Sequence, residues 1–150
     1  MNQIEYDDFL QTKVKRHIET GFVCDTLSPL LFDFQESVVR KALRVGRYAI
    51  FADCGLGKTI MQLEWAKQVH ARTNQPVLIL CPLAVSGQTI EEGAKFGYEV
   101  SRWDDSKNGI DIANYEQLEN IDTGKYAGVV LDESSILKNY TGVYKNLIIE

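Results

Sequence analysis

The stretch Ala52-Asp53-Cys54-Gly55-Leu56-Gly57-Lys58-Thr59 decides the fold of this chain. It follows the apolar run Tyr48-Ala49-Ile50-Phe51, and the apolar side chains in residues 60–66 after it recur at helical spacing. A strand, a glycine-rich turn and a helix in this order are typical of a phosphate-binding loop, here with Ala52 in place of the usual first glycine. The sequence therefore predicts nucleotide binding.

Each residue of this loop has a chemical task in that interpretation. Gly55 and Gly57 let the backbone curl so that its N–H groups point at the β-phosphate, and the following helix adds its N-terminal dipole. Lys58 neutralises the β- and γ-phosphate oxygens, and Thr59 gives its hydroxyl to Mg²⁺. The alternative is a strand-to-helix turn followed by an incidental Lys-Thr. We expect the nucleotide to be held by Asp53, Cys54, Gly55, Leu56, Gly57, Lys58 and Thr59.

The composition is that of an ordinary globular domain. The 150 residues are 45% hydrophobic and 25% charged, which suits one domain with one core. The net charge of −5 argues against a chain that coats nucleic acid uniformly, so any such contact must be local. No apolar stretch approaches the ~20 residues of a membrane span, and the polar N-terminus does not resemble a signal peptide. We expect a cytoplasmic protein without a membrane partner.

The cysteines and the basic clusters bear on whether the chain binds zinc or nucleic acid. The three cysteines, at 24, 54 and 81, lack the spacing of a zinc site or a disulfide framework. Arg40, Arg44 and Arg47 recur at helical spacing, and a second basic cluster covers residues 13–17. Either cluster could touch nucleic acid, but a solvated helix face is the favoured interpretation of both.

Four further apolar runs predict the rest of a sheet. Val77–Cys81 is continuously apolar, as in a parallel strand covered on both faces, and residues 98–103, 110–113 and 128–131 are similar runs. Helical patterns, one of them over residues 85–96, alternate with these runs. The alternation predicts an α/β fold, an open and mostly parallel sheet with helices on both faces. Ligands bind such sheets at the carboxyl ends of the strands.

An acidic pair, Asp132-Glu133, directly follows the last of these strands. In enzymes with a phosphate-binding loop, the first carboxylate holds Mg²⁺, usually through water, and the second orients or deprotonates the attacking water. The candidate catalytic residues are therefore Lys58, Asp132 and Glu133, and the candidate metal ligands are Thr59 and Asp132. The alternative is an acidic pair that only caps a following helix.

Five segments occur in order over about residues 28–141, and they are Leu31-Phe32-Asp33-Phe34-Gln35, residues 53–59, Leu80-Cys81-Pro82-Leu83-Ala84-Val85, Ala113-Asn114-Tyr115-Glu116-Gln117-Leu118 and residues 131–139. Together they resemble the first motor domain of a superfamily 2 helicase. The Gly-Leu-Gly-Lys-Thr loop and Ile136-Leu137-Lys138-Asn139 are most similar to the chromatin-remodeller-like translocase branch, as in phage and prophage helicases of the DEAD/DEAH-box type. The resemblance implies a RecA-like P-loop NTPase domain over residues 28–150 and an N-terminal helical extension over residues 1–27.

The same resemblance implies cofactors and partners. It implies ATP and Mg²⁺ as cofactors, and nucleic acid as the partner, with double-stranded DNA the expected form, in a bacterial or phage-infected cytosol. It implies that Gln35 reads the adenine edge, whereas the alternative is a solvated helix residue. For Tyr115, a buried packing aromatic is the favoured alternative to a nucleic-acid contact. The residues implied to face the nucleic-acid backbone are Pro82, Leu83, Gln88, Thr89, Asn114 and Tyr115.

Two departures from the family pattern bear on function. Ser135 stands where the acidic box usually has Asp or His. The second motor domain, which supplies arginine fingers, has no counterpart, and the sequence ends in the apolar stretch Leu147-Ile148-Ile149-Glu150. We therefore expect a fragment of a longer helicase that turns over slowly on its own, because such arginines raise related phosphoryl-transfer rates by about 10³ to 10⁵.

The sequence allows three functions. The first is the ATP-binding lobe of an ATP-dependent helicase or translocase. The second is a stand-alone nucleotide-binding module that signals through its ATP-bound state and never unwinds DNA, which the short length, acidic charge and Ser135 favour. A small-molecule P-loop kinase is disfavoured because Gln35 and the series around Asp132 have no role in it.

Overall fold

A computed structural model describes residues 3–5, 19–50 and 57–133 of the chain. Long helices alternate with short strands, and 3₁₀ turns cover Leu83–Val85, Trp103–Asp105, Tyr115–Asn120 and Thr123–Lys125. The helices are α1 (Asp33–Val45), α2 (Lys58–Thr73) and α3 (Ser86–Lys95), and the strands are β1 (Val77–Cys81), β2 (Val100–Arg102), β3 (Ile110–Asn114) and β4 (Gly128–Leu131). Within these ranges, no helix has the length and apolar character that crossing a bilayer requires.

The four strands form one parallel sheet in the order β2-β3-β1-β4. Strand β1 lies between two neighbours, with Leu80 opposite Ala113 on one side and Leu131 on the other. Every residue of β1 is buried, as its unbroken apolar run predicts. The predicted α/β class, the parallel sheet and these four strands are therefore confirmed.

The strand predicted at Tyr48–Phe51 is not found where the structure describes this segment. Residues 48–50 belong to no strand, and Phe51 lies outside the described residues. Ile50 packs against the core, but Tyr48 is 42% exposed and Ala49 is also exposed. An apolar run forms a strand only where a neighbouring strand completes its hydrogen bonds, and residues 48–50 have no such ladder.

The two faces of the sheet are covered differently. The first face packs against the helices in a cluster that includes Val39, Leu63, Ile79 and Ile112. The second face packs against the 3₁₀ turn at Tyr115–Asn120 and its flanks, in a cluster of Leu78, Leu80, Ala113, Tyr115, Leu118 and Ile121. Helices were expected on both faces, whereas in the described ranges α1, α2 and α3 all belong to the first.

The segment before α1 is irregular rather than helical over residues 19–27, and residues 3–5 are helical. The predicted helical extension over residues 1–27 is thus not continuous, and residues 6–18 lie outside the described ranges. The backbone bonds of the irregular part go to the end of α1, because the amides of Thr20, Gly21 and Phe22 donate to the carbonyls of Val45, Arg44 and Leu43 at 3.1, 3.2 and 2.9 Å.

Stability is expected to fall in alkaline solution. Burial, together with the nearby Asp132, raises the pKa of the Cys81 thiol from 9.0 to about 11, and burial with the bond to Glu64 raises the pKa of Tyr98. The folded state therefore keeps protons that the unfolded chain releases. This contribution is complete below pH 9 and is lost as pH rises through 11. Urea unfolding at pH 8, 10 and 11 measures the trend.

A double variant, Cys81→Ala with Tyr98→Phe, provides the control for this prediction. It should be less stable at pH 8 but should lose less free energy of unfolding between pH 8 and 11 than the unmodified chain. An unmodified chain whose unfolding midpoint is constant or rises over this interval would contradict the assignment.

Candidate functional site

Helix α2 begins where the phosphate-binding loop predicts it. Lys58 is its first residue, and the preceding Gly57 has the left-handed backbone angles φ 73° and ψ 44°. Lys58 and Thr59 are half-buried in the first turn, at which the unpaired N–H groups of a helix attract anions. The other predicted loop residues, Asp53, Cys54, Gly55 and Leu56, lie outside the described residues.

Asp132 lies beside the first turns of α2. The side-chain amide of Gln62, three residues after Thr59, donates a hydrogen bond to Asp132 Oδ1 at 3.1 Å. The Asp132 backbone is held by two further bonds, since its N–H donates to the Leu80 carbonyl at 2.8 Å and the Tyr115 hydroxyl donates to its carbonyl at 2.7 Å. The sheet therefore fixes this carboxylate close to the candidate phosphate site.

Glu133 adopts a backbone conformation that few residues of its type adopt. Its φ is 51°, in the left-handed region, and its side chain is exposed. A residue with a Cβ pays about 1 kcal/mol or more for this conformation, and such strain is concentrated at functional sites. The conformation is consistent with a turn that places the second carboxylate of the pair in solvent next to Asp132.

Gln35 packs against the N-terminal end of α2, next to Gly57. It is only 3% exposed, and its Oε1 accepts a hydrogen bond from the Phe32 N–H at 3.0 Å. A Cβ built on Gly57 would lie 2.3 Å from Gln35 Nε2, so the amide is in contact with the residue that precedes Lys58. The alternative of a solvated helix residue is therefore wrong, and adenine recognition by Gln35 stays a prediction.

A cavity of about 430 Å³ opens next to these residues. Phe32 is 69% exposed and Phe96 is 40% exposed, and both rings line it. Its size is within the range of small-molecule pockets, about 300–1,000 Å³, and its mixed aromatic and polar lining suits a nucleobase with its sugar. The lining residues are Phe32, Gln35, Gly57, Thr59, Ile60, Glu92, Lys95 and Phe96.

Neither Phe32 nor Phe96 was among the site residues predicted from the sequence. A signal existed for Phe32, because an exposed aromatic three residues before Gln35 belongs to the same motif. It also stacks on Phe34 at a centroid distance of 6.3 Å, so the exposed ring is supported from one side. No local signal existed for Phe96, which follows α3 and reaches the cavity only through the packing of α3 beside α2.

Gly57→Ala is expected to damage both stability and nucleotide binding. An alanine in the left-handed region is strained, and its Cβ would displace the Gln35 amide, so we expect the free energy of unfolding to fall by about 1–2 kcal/mol. Gly87→Ala is the matched control, because a Cβ there meets nothing within 4 Å and the site is helical. Thermal unfolding with and without ATP measures the effect, and equal behaviour of the two variants would contradict it.

The residues implied to face nucleic acid divide into two groups. Leu83 is 66% exposed, Gln88 is exposed and Pro82 is half-buried, so these three are accessible. The other three are buried, and their polar groups have internal partners. Thr89 donates to the Val85 carbonyl at 3.1 Å, Asn114 Oδ1 accepts from the Gln117 N–H at 3.1 Å, and the Tyr115 hydroxyl donates to Asp132.

This burial corrects part of the expected nucleic-acid surface. The side chains of Thr89, Asn114 and Tyr115 do not reach solvent enough to contact a phosphate backbone in this conformation, because they cap or brace the 3₁₀ turns and strand ends. For Tyr115, the alternative of a buried packing aromatic is confirmed.

The basic cluster on α1 is partly neutralised. Arg40 pairs with Glu36 at 2.6 Å and also donates to the carbonyls of Cys24 and Asp25, while Arg44 lies 3.4 Å from Glu19. These contacts support the interpretation of a structural and solvated helix face. The basic cluster at residues 13–17 lies outside the described residues.

The donor set fits a magnesium ion that arrives with a nucleotide. Mg²⁺ is usually held by one or two carboxylates together with substrate phosphates, and Asp132 and Thr59 offer a carboxylate and a hydroxyl near the same helix end. In the ranges that the structure describes, no three His, Cys, Asp or Glu side chains cluster as a metal site would require.

Comparison with known proteins adds no assignment. No protein-family model matches the chain, and no curated protein matches it significantly.

Proposed function

We propose that this chain is the ATP-binding lobe of an ATP-dependent DNA helicase or translocase with a RecA-like fold. The observation that carries the proposal is the hydrogen bond from Gln62 to Asp132, which brings the acidic pair to the helix that begins with Lys58-Thr59. Two motifs 73 residues apart in sequence thus meet at one edge of a parallel sheet, where such folds bind ligands. The proposed setting is a bacterial or phage-infected cytosol.

In this proposal the nucleotide occupies two neighbouring places, one for the phosphates and one for the base. The triphosphate lies at the N-terminus of α2, where backbone N–H groups and Lys58 balance its charge. The adenine enters the cavity between Phe32 and Phe96, where aromatic faces stack on a base and the Gln35 amide offers a donor and an acceptor. The cavity adjoins Gly57 and Thr59, so base and phosphates are within reach of one ligand.

Hydrolysis is assigned to the acidic pair. Asp132 and Thr59 would hold Mg²⁺, and the ion would neutralise charge on the phosphates when bound. Glu133 orients a water molecule and accepts its proton as the oxygen attacks the γ-phosphorus. The bond from that phosphorus to the bridging oxygen breaks, and ADP and phosphate are the products.

A short path connects this site to the accessible candidates for nucleic-acid contact. The Tyr115 hydroxyl binds the Asp132 carbonyl, and Asp132 in turn binds the Leu80 carbonyl at the end of β1. Pro82 and Leu83 follow β1 directly, and Leu83 is exposed. A shift of Asp132 with the state of the phosphates would therefore move both neighbouring strand ends, which supports coupling of hydrolysis to movement.

The experiment that tests this function is ATP hydrolysis with Mg²⁺, with and without duplex DNA, by the 150-residue chain. Slow turnover that duplex DNA stimulates supports the motor lobe, and the same assay with single-stranded DNA and RNA identifies the preferred nucleic acid. Nucleotide binding without any response to nucleic acid would contradict it.

Two observations favour the second candidate, a nucleotide-binding interaction module without unwinding activity. Three of the six expected nucleic-acid contacts are buried, and Arg40 and Arg44 are engaged by acidic or backbone partners. This module would bind ATP at the same site and show no DNA-dependent change in affinity or turnover.

A further inference from the structure

The carboxylate of Glu64 is completely buried in the middle of α2, the helix whose N-terminus forms the proposed phosphate site. Glu64 has 0% exposure and lies five residues after Thr59 in α2. Its Oε1 accepts hydrogen bonds from the Ser28 N–H at 3.0 Å and from Gln68 Nε2 at 2.8 Å, and its Oε2 accepts from the Tyr98 hydroxyl. A buried carboxylate is costly to desolvate, so three donors aimed at one such group call for a specific role.

The bonds of this carboxylate fasten the segment before α1 to α2. Ser28 opens a turn, in which its carbonyl accepts from the Leu31 N–H at 3.3 Å and its hydroxyl accepts from the Leu30 N–H at 3.3 Å. Leu31 is buried in the core next to Phe32, whose N–H binds Gln35. Backbone N–H groups of residues 28, 31 and 32 thus make hydrogen bonds to Glu64, to the Ser28 carbonyl and to Gln35, so this short segment is held at both ends, at Glu64 and at the base-side cavity.

A second side chain of α2 strengthens the same attachment. Gln68, one turn after Glu64, donates to the Thr26 carbonyl at 3.3 Å and accepts from Cys24 Sγ at 3.3 Å. Because Gln68 also donates to Glu64, the two side chains act as one bracket over residues 24–28.

We propose that Glu64 is a positioning residue for recognition of the nucleobase. It locks residues 28–35 onto α2 so that Phe32 and Gln35 stand at a fixed distance from Gly57 and Lys58. The inference rests on the proposed nucleotide site and adds a specific determinant of base affinity to it. The N-terminus of α2 forms the proposed phosphate site, and Glu64 and Gln68 of the same helix hold the residues that contact the base. The base and the phosphates would therefore bind to groups already fixed on one helix, which lowers the entropy cost of ordering these groups on binding.

The test compares two ligands that differ in the base. ATP and inorganic tripolyphosphate, each with Mg²⁺, are titrated by calorimetry into the unmodified chain and into Glu64→Leu. Leucine fills the site but leaves the Ser28 N–H without its acceptor. We expect the dissociation constant for ATP to rise about tenfold, as for a lost well-oriented hydrogen bond, and that for tripolyphosphate to change less than about twofold.

Two matched variants separate positioning from general stability. In Glu64→Gln, the amide oxygen keeps the bonds from Ser28 and Gln68 and the amide nitrogen donates to the Tyr98 oxygen, so ATP affinity should be close to that of the unmodified chain. Tyr98→Phe removes the donor to Oε2 and the contact of that hydroxyl with the Ser28 side chain, but keeps the bonds from the Ser28 N–H and Gln68 to Oε1. It should lower the thermal midpoint while the ratio of ATP to tripolyphosphate affinity stays the same.

The outcomes distinguish this inference from the proposed function. If Glu64→Leu leaves the ratio of ATP affinity to tripolyphosphate affinity unchanged, whether or not both ligands bind more weakly, the positioning role is overturned. If Glu64→Leu does not fold, Gln68→Leu, at a half-buried position, loosens the same bracket and should raise the dissociation constant for ATP about threefold, with no change again overturning the role. Failure of the unmodified chain to bind either ligand would instead contradict the nucleotide site itself.

Discussion

Glu133→Gln is expected to lower Mg-dependent ATP hydrolysis by about 10² to 10⁴ while leaving ATP affinity within about twofold. An amide has the shape of the carboxylate but cannot accept the proton of the attacking water. The residue is exposed, and glutamine adopts the left-handed conformation no worse than glutamate, so the fold should be unaffected. Phosphate release over hours, with a duplex DNA activator present, measures the change.

Glu119→Gln is the matched control for this variant. Glu119 is an exposed carboxylate in the 3₁₀ turn at Tyr115–Asn120, and the same loss of one negative charge there should leave the rate unchanged. A Glu133→Gln variant that retains full turnover would remove Glu133 from the reaction.

Lys58→Ala is expected to weaken ATP binding about 10- to 100-fold. In the proposed site the ammonium group would make charge-assisted hydrogen bonds to phosphate oxygens, and each such bond at a half-buried position is worth about 1.5–3 kcal/mol. Because Lys58 is at the first position of α2, its removal leaves the helix interior intact. Calorimetric titration with ATP and Mg²⁺ measures the loss.

Lys67→Ala is the control that removes one positive charge from the same helix away from the proposed phosphate site. Lys67 lies on the same helix nine residues later, is exposed, and lies 5.6 Å from the Tyr98 ring rather than near Thr59. ATP affinity should not change in this variant by more than about twofold. An equal loss in Lys58→Ala and Lys67→Ala would show that the effect is long-range electrostatics and not phosphate coordination.

The fold was largely predictable because buried parallel strands leave a strong local signature. Val77–Cys81 and Gly128–Leu131 are continuous apolar runs, and both are strands. The same signature at Tyr48–Phe51 did not produce a strand over residues 48–50, since strand formation depends on a neighbour that local sequence does not specify. Among the described residues the helices cover one sheet face only, and local sequence does not specify which face a helix covers, because that is decided by tertiary packing.

The candidate site was predictable only where a topological rule applies. Strand carboxyl ends meet at one edge, which anticipates the approach of Asp132 to the start of α2 but not the Gln62 side chain that joins them. Burial of Thr89 and Asn114 had no sequence signal, since both are polar. Glu64 is one of several polar residues of α2, and its three donors, the Ser28 N–H, Gln68 Nε2 and the Tyr98 hydroxyl, meet it only in the folded chain.

The most direct measurement of the central claim is calorimetric titration of the 150-residue chain with ATP, once with Mg²⁺ and once with EDTA, beside Asp132→Ala. The account predicts saturable 1:1 binding that Mg²⁺ tightens in the unmodified chain and that Mg²⁺ no longer tightens in Asp132→Ala. Absence of binding at millimolar ATP, or a Mg²⁺ effect that survives removal of the Asp132 carboxylate, would contradict it.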